Sequence, residues 1–204
     1  MSFDIWLTLL FASLLISISP GAGAVVSINA GINYGLKKSY WAIFGLQVGY
    51  LVQTFVVIVG LGALIVSSPF LFSIIKWIGV AYLVFIGLNK IFQKVEITND
   101  KIQTKNSKKM FTSALLINLT NPKATVFLVA FIPQFLNANE NILFQFIIIG
   151  LTLIVVDIIV MTGYSGLASQ LRFLLKDSKS IKKMNIFTGI ILIFAAIFLS
   201  FSQN

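Results

Sequence analysis

Six apolar stretches occupy most of this chain, at about 3–32, 40–66, 70–92, 110–136, 142–169 and 184–202, and each is long enough to cross a bilayer as a helix. Two are punctuated midway. Ser19-Pro20-Gly21-Ala22-Gly23 interrupts the first, and Asn121-Pro122-Lys123-Ala124 interrupts the fourth, with Pro122 falling 102 positions after Pro20. In each, a short side chain able to act as a helix N-cap precedes proline, the residue favoured at the first helical position. Each break is therefore expected to end one half-helix and begin another. Backbone groups freed in hydrocarbon cannot turn to water, so such breaks persist only inside protein or along a cavity. Paired breaks in corresponding halves of a chain point to a substrate site near the midplane.

An integral membrane protein is the class this implies, and composition agrees: 58% of residues are hydrophobic, 10% are charged, and the mean hydropathy is +0.97. The first apolar run starts Met1-Ser2-Phe3-Asp4, without the basic start of a signal peptide, and is expected to remain as a span. Lys37 and Lys38 follow the first span. Lys90, Lys94, Lys101, Lys105, Lys108 and Lys109 lie around the connection after the third, and Arg172, Lys176, Lys179, Lys182 and Lys183 follow the fifth. Thirteen of the fifteen basic residues thus fall on one side, which the positive-inside rule assigns to the cytoplasm, leaving both termini outside. The net charge of +9 is accounted for by these loops and anionic lipid, with no nucleic-acid partner. Six spans divide into three and three at residues 93–109. Because three is odd, the second half (110–204) enters the membrane from the opposite side to the first (1–92), so the expected fold is one all-α membrane domain built as a 3+3 inverted repeat with broken first and fourth helices.

The chain has no cysteine and no histidine. Disulfides, thiolate or imidazole metal sites and the commonest general base are absent, and no nucleophile-and-base set is visible, so neither an enzyme nor a cofactor protein is expected. No Walker motif is present for an ATP-driven pump. A channel or a non-transporting scaffold subunit stands as the alternative to a secondary transporter.

Ser19-Pro20-Gly21, glycines at 31, 35, 45 and 49, Gly79-Val80-Ala81-Tyr82-Leu83 with Gly87, Asn118-Leu119-Thr120-Asn121-Pro122-Lys123-Ala124 and Pro133-Gln134-Phe135 together resemble the LysE/RhtB amino-acid exporter family. The likeness covers most of the chain, and the NPKA and PQF elements are its most specific parts. Ala22 stands where family members usually carry a second proline. The resemblance implies efflux of an amino acid from the bacterial cytoplasm across the inner membrane, driven by the proton motive force. It does not fix which amino acid.

Individual residues then take candidate roles. Lys123 lies about fourteen residues beyond Lys109, or roughly 20 Å along a helix, well inside the bilayer. It is a cation for a substrate carboxylate, assisted by the N–H groups of the half-helix starting at Pro122. Asp157 is the one acid deep within an expected span and is the candidate proton carrier. A permanent Lys123–Asp157 pair that only fixes the bundle suits the same two residues. Ser19, Pro20, Gly21, Gly23, Asn121 and Pro122 complete the candidate substrate site, the glycines allowing close backbone approach. Gln47 and Gln53 face either the cavity or another helix. Gly31/Gly35 and Gly45/Gly49 are small-xxx-small pairs for helix contact within the chain or across a homodimer.

Overall fold

With nearly every segment apolar, the backbone can satisfy itself only locally, and the computed structural model is helical throughout its described residues, 1–67, 69–92, 106–137, 140–170 and 178–201, with no strand among them. The helices are α1 (Phe3–Ile18), α2 (Ala22–Ser67), α3 (Pro69–Phe92), α4 (Ser107–Leu119), α5 (Pro122–Phe131) with a 3-10 turn (Ile132–Phe135), α6 (Ile142–Gln170) and α7 (Ser178–Phe201). Lys94, Lys101, Lys105, Arg172 and Lys176 lie outside the described residues, as does most of the expected 93–109 connection.

Both proline breaks are present. α1 ends at Ile18 and α2 begins at Ala22; α4 ends at Leu119 and α5 begins at Pro122, the α4–α5 pair being bent by 51°. Where a loop was expected between the first two spans, α2 runs on, broken at Gly35 alone, whose φ of 76° and ψ of 166° suit a residue without a side chain. By length and composition, Ala22–Gly60 and Leu143–Gln170 can each cross a bilayer, and the bent pair Ser107–Leu119 with Pro122–Phe135 makes a third such segment. Phe3–Ile18, Trp77–Phe92 and Asn185–Ile197 are shorter apolar helices. Phe11, Phe44, Phe55, Phe85, Ile159 and Phe194 project outward from α1, α2, α3, α6 and α7, a surface suited to lipid and not to water.

α2 packs against α4 and α6, and α3 against α7. Glycines set these approaches. A methyl on Gly31 would overlap the Ser165 carbonyl of α6, and one on Gly45 would overlap the Phe111 carbonyl of α4. One on Gly49 would sit 2.9 Å from the Leu115 oxygen. The small-residue faces offered for a homodimer are thus filled from within the chain. Gly35, expected to form such a face with Gly31, has nothing within 4 Å and serves as a turn. Two buried clusters result. One holds bulky groups from Leu9, Ile16, Tyr50, Phe127, Phe131 and Leu153; the other is lined by smaller ones, including Ala24, Ala30, Ala42, Leu46, Ala114 and Met161. Phe127 and Phe131 stack with ring centroids 4.6 Å apart in the first.

Candidate functional site

The helix breaks leave backbone groups unpaired, and side chains from other helices meet them. At the second break the sequence-based expectation holds in detail. Asn121 is the N-cap of α5, its Oδ1 accepting from the Lys123 backbone N–H at 3.1 Å, and Pro122 takes the first turn. Asn121 Nδ2 donates to Asn118 Oδ1 (3.3 Å), and Asn118 Nδ2 to the Leu46 carbonyl (2.6 Å). Gln53 donates to the Leu119 carbonyl at the end of α4 (3.1 Å) and to Thr125 Oγ1 in α5 (2.8 Å), so it bridges the break.

The first break differs. Ser19 is not an N-cap: it is the C-cap of α1, its backbone N–H donates to the Leu15 carbonyl, and its buried hydroxyl has no partner. Pro20 and Gly21 lie between the helices, so Pro20 does not begin α2. Gly21 disfavours helix there, and α2 starts only at Ala22. Gly21 has no side chain with which to accept from the first N–H groups of α2, and those groups have no partner inside their own helix.

Lys123 reaches from the second break to the first. Its ammonium donates to the carbonyls of Ile16 (2.9 Å) and Ser19, at the C-terminal, partially negative end of α1. The Tyr164 hydroxyl donates to the Ile18 carbonyl beside them. Gly21 lies against the lysine: a methyl there would be 3.1 Å from Lys123 Cδ and 3.3 Å from Nζ. Asp157 is held separately. Its Oδ1 accepts from the Ser17 hydroxyl at 2.9 Å and its Oδ2 from Gln47 Nε2 at 2.7 Å. No ion pair joins Lys123 and Asp157 among the described residues, so the two charges are not a fixed structural pair in this conformation.

Both instead line one cavity of about 50 Å³, where each water needs roughly 10–15 Å³ on such a measure, so several waters or a small polar molecule fit. Of the residues singled out in the sequence, Ser19, Gly21, Gly23, Asn121, Lys123 and Asp157 border it, whereas Pro20 and Pro122 shape the breaks behind it. Gln47 and Gln53 make interhelical hydrogen bonds and stand behind the wall. Sequence reasoning passed over Ser17, Tyr50, Asn118 and Met161 in the wall and Tyr164 next to it. A polar residue inside an apolar run was the available signal for Ser17 and Asn118. No three acids are grouped as metal ligands among the described residues.

An all-helical membrane protein with a cavity between two helix breaks, Lys123 and Asp157 in its wall, has the outline of a carrier. The chain belongs to the LysE type translocator family, whose description matches residues 14–203. It is 40% identical to an uncharacterised membrane protein of Vibrio cholerae, over 91% of each chain. It is 40% identical to the homoserine/homoserine lactone efflux protein of Salmonella typhi, over 91% of this chain and 90% of that one. To the leucine efflux protein of an Enterobacter species it is 30% identical, over 93% and 92%. No solved structure matches. Family and relatives place the chain among translocators of the membrane, not among enzymes.

Proposed function

We propose that this protein is a secondary exporter that carries a small, neutral amino acid or close derivative out of the cytoplasm across the bacterial inner membrane. One observation carries the reading: among the described residues one lysine, Lys123, and one carboxylate, Asp157, line the same cavity at the meeting of two helix breaks. A zwitterion needs one group of each sign, and among the described residues no second acid borders the cavity to hold a basic side chain. Homoserine and leucine, for whose efflux relatives are named, are zwitterions of this class, whereas homoserine lactone, named beside homoserine, has the ammonium and no carboxylate. Gly21, Gly23, Ser19, Asn121 and Lys123 form its binding wall, with the carboxylate directed at Lys123 and the N–H groups opening α2.

In this reading the six apolar segments are six spans in two inverted halves, with both termini outside and the basic connections in the cytoplasm. The break at Gly35 divides α2 into the end of span one and the whole of span two. A shared offset supports the repeat. Gly87 and Gly189, like Pro20 and Pro122, are 102 positions apart, and they meet each other: a methyl on Gly87 would lie 2.9 Å from the Gly189 carbonyl, and one on Gly189 would overlap that of Gly87. Equivalent residues meet in this reciprocal way at a two-fold axis. Asp157 carries the proton that drives export, since it faces the cavity and is bonded by groups able to accommodate either protonation state.

The test is counterflow in reconstituted vesicles loaded with homoserine or leucine. A carrier gives saturable, stimulated uptake of labelled amino acid against its gradient, accelerated when a proton gradient is imposed. Flux that rises linearly with concentration and shows no stimulation would establish a channel instead, and no flux with any neutral amino acid would overturn the transport reading.

A further inference from the structure

We infer that the C-terminal carbonyls of α1, at Ile16 and Ser19, are the subsite for the substrate's α-ammonium, which Lys123 occupies with its own ammonium until substrate displaces it. This rests on the exporter reading. A helix that stops inside the membrane presents its last carbonyls without N–H partners, and its dipole makes that end attractive to cations. At α1 the Leu15 carbonyl receives the Ser19 N–H and the Ile18 carbonyl receives the Tyr164 hydroxyl, while those of Ile16 and Ser19 converge on the Lys123 ammonium. A third acceptor belongs to the same residue: Ser19, 1% exposed, is in the cavity wall, and its buried hydroxyl has no partner. Three acceptors match the three N–H donors of a primary ammonium. A trimethylated ammonium has no donor for them.

Two cations cannot share that cluster. An amino acid arriving with its ammonium there must expel Lys123, whose Cδ and Nζ already lie against Gly21 and can slide along it because no side chain stands there. Lys123 then stands next to the first N–H groups of α2, where the carboxylate of the same substrate is drawn. One exchange thus serves both ends of the zwitterion. Asp157, whose oxygens each accept one hydrogen bond from Ser17 or Gln47, borders the same cavity and adds its negative charge to the pull on the arriving ammonium. Lys123 also joins the two breaks, so its release would remove one link between them.

Removing the lysine should leave the carbonyls open to a free amine. Purified Lys123→Ala and Lys123→Met, in nanodiscs, are titrated with ethylammonium chloride, with tetramethylammonium chloride as the matched salt, and thermal unfolding is followed. Saturable stabilisation by ethylammonium in either variant, absent with tetramethylammonium, is the expected result. Wild type should need at least about tenfold more ethylammonium for the same shift, since its own lysine competes intramolecularly. Equal responses of wild type and variants, or folded variants indifferent to ethylammonium, would overturn the subsite. Wild-type counterflow, measured in parallel, separates the two ideas: intact counterflow with indifferent variants removes the subsite alone, whereas absent counterflow with responsive variants removes transport and leaves an ammonium-binding cluster.

Discussion

Replacing Asp157 by asparagine tests proton coupling without dismantling the site, and the hydrogen bonds show why. The carboxylate accepts from Ser17 and from Gln47 Nε2, and the other atom of that amide, Gln47 Oε1, is buried without a partner. In Asp157→Asn, a rotated Gln47 amide presents Oε1 to the new Asn Nδ2, and the new Oδ1 still accepts from Ser17. Both bonds survive, as neutral ones. A hydrogen bond to a charged group contributes about 1.5–3 kcal/mol and a neutral one about 0.5–1.5, so at mid-range values the two bonds together should lose about 2.5 kcal/mol of stability. Asp157→Leu instead leaves two buried donors unpaired, at about 1–3 kcal/mol each, and removes the same charge. Unfolding of the two purified variants gives the stability comparison. In vesicles, Asp157→Asn should retain homoserine or leucine exchange, which needs no net proton transfer, and lose efflux driven by a pH gradient. Gradient-driven efflux at the wild-type rate would refute the proton role. An asparagine variant as unstable as the leucine variant would refute the hydrogen-bond argument.

Three further outcomes are expected. Lys123→Gln keeps an N–H donor for the α1 carbonyls but not the charge, so the protein should fold while exchange needs about ten- to a hundredfold more substrate, as a lost charge-assisted bond of about 1.5–3 kcal/mol dictates; saturation curves in vesicles measure this. Gly45→Ala drives a methyl into the Phe111 carbonyl and should destabilise by about 1–3 kcal/mol, while Gly60→Ala, with nothing within 4 Å, should be neutral or stabilising, as thermal melts will report. In this cysteine-free chain, Glu140→Cys should react with an impermeant thiol reagent in intact cells and Lys109→Cys should react only after permeabilisation; the opposite pattern would invert the topology.

Hydropathy and proline carried most of the helix placement, because in an apolar chain the spans and their interruptions are written in residue types. Asn121-Pro122 was legible as a cap and first turn since both roles depend on side chains. Ser19-Pro20 looks the same in one dimension, yet the next helix begins only after Gly21, and the serine is left at the end of α1. Gly35 was indistinguishable from Gly31, Gly45 and Gly49 because only backbone angle separates a turn from a contact. The partners of Lys123 were the least visible of all. They are main-chain carbonyls, which carry no letter in the sequence, so the nearest opposite charge, Asp157, stood out as a partner that the folded chain does not give it.

The crossing of Gly87 and Gly189 limits how such a protein can change over generations. Each residue's missing side chain is the room taken by the other's backbone, so enlarging one cannot be offset by shrinking the other, as neither has anything to give up. At Gly23 in the cavity wall the restriction is looser: a methyl there would first meet side-chain atoms of Leu46 and Met161, at 3.7 Å, and those side chains can be exchanged to suit a new cargo. Novel specificities should therefore arise by repainting a few side chains around an immovable joint, which is an economical way for one scaffold to diversify.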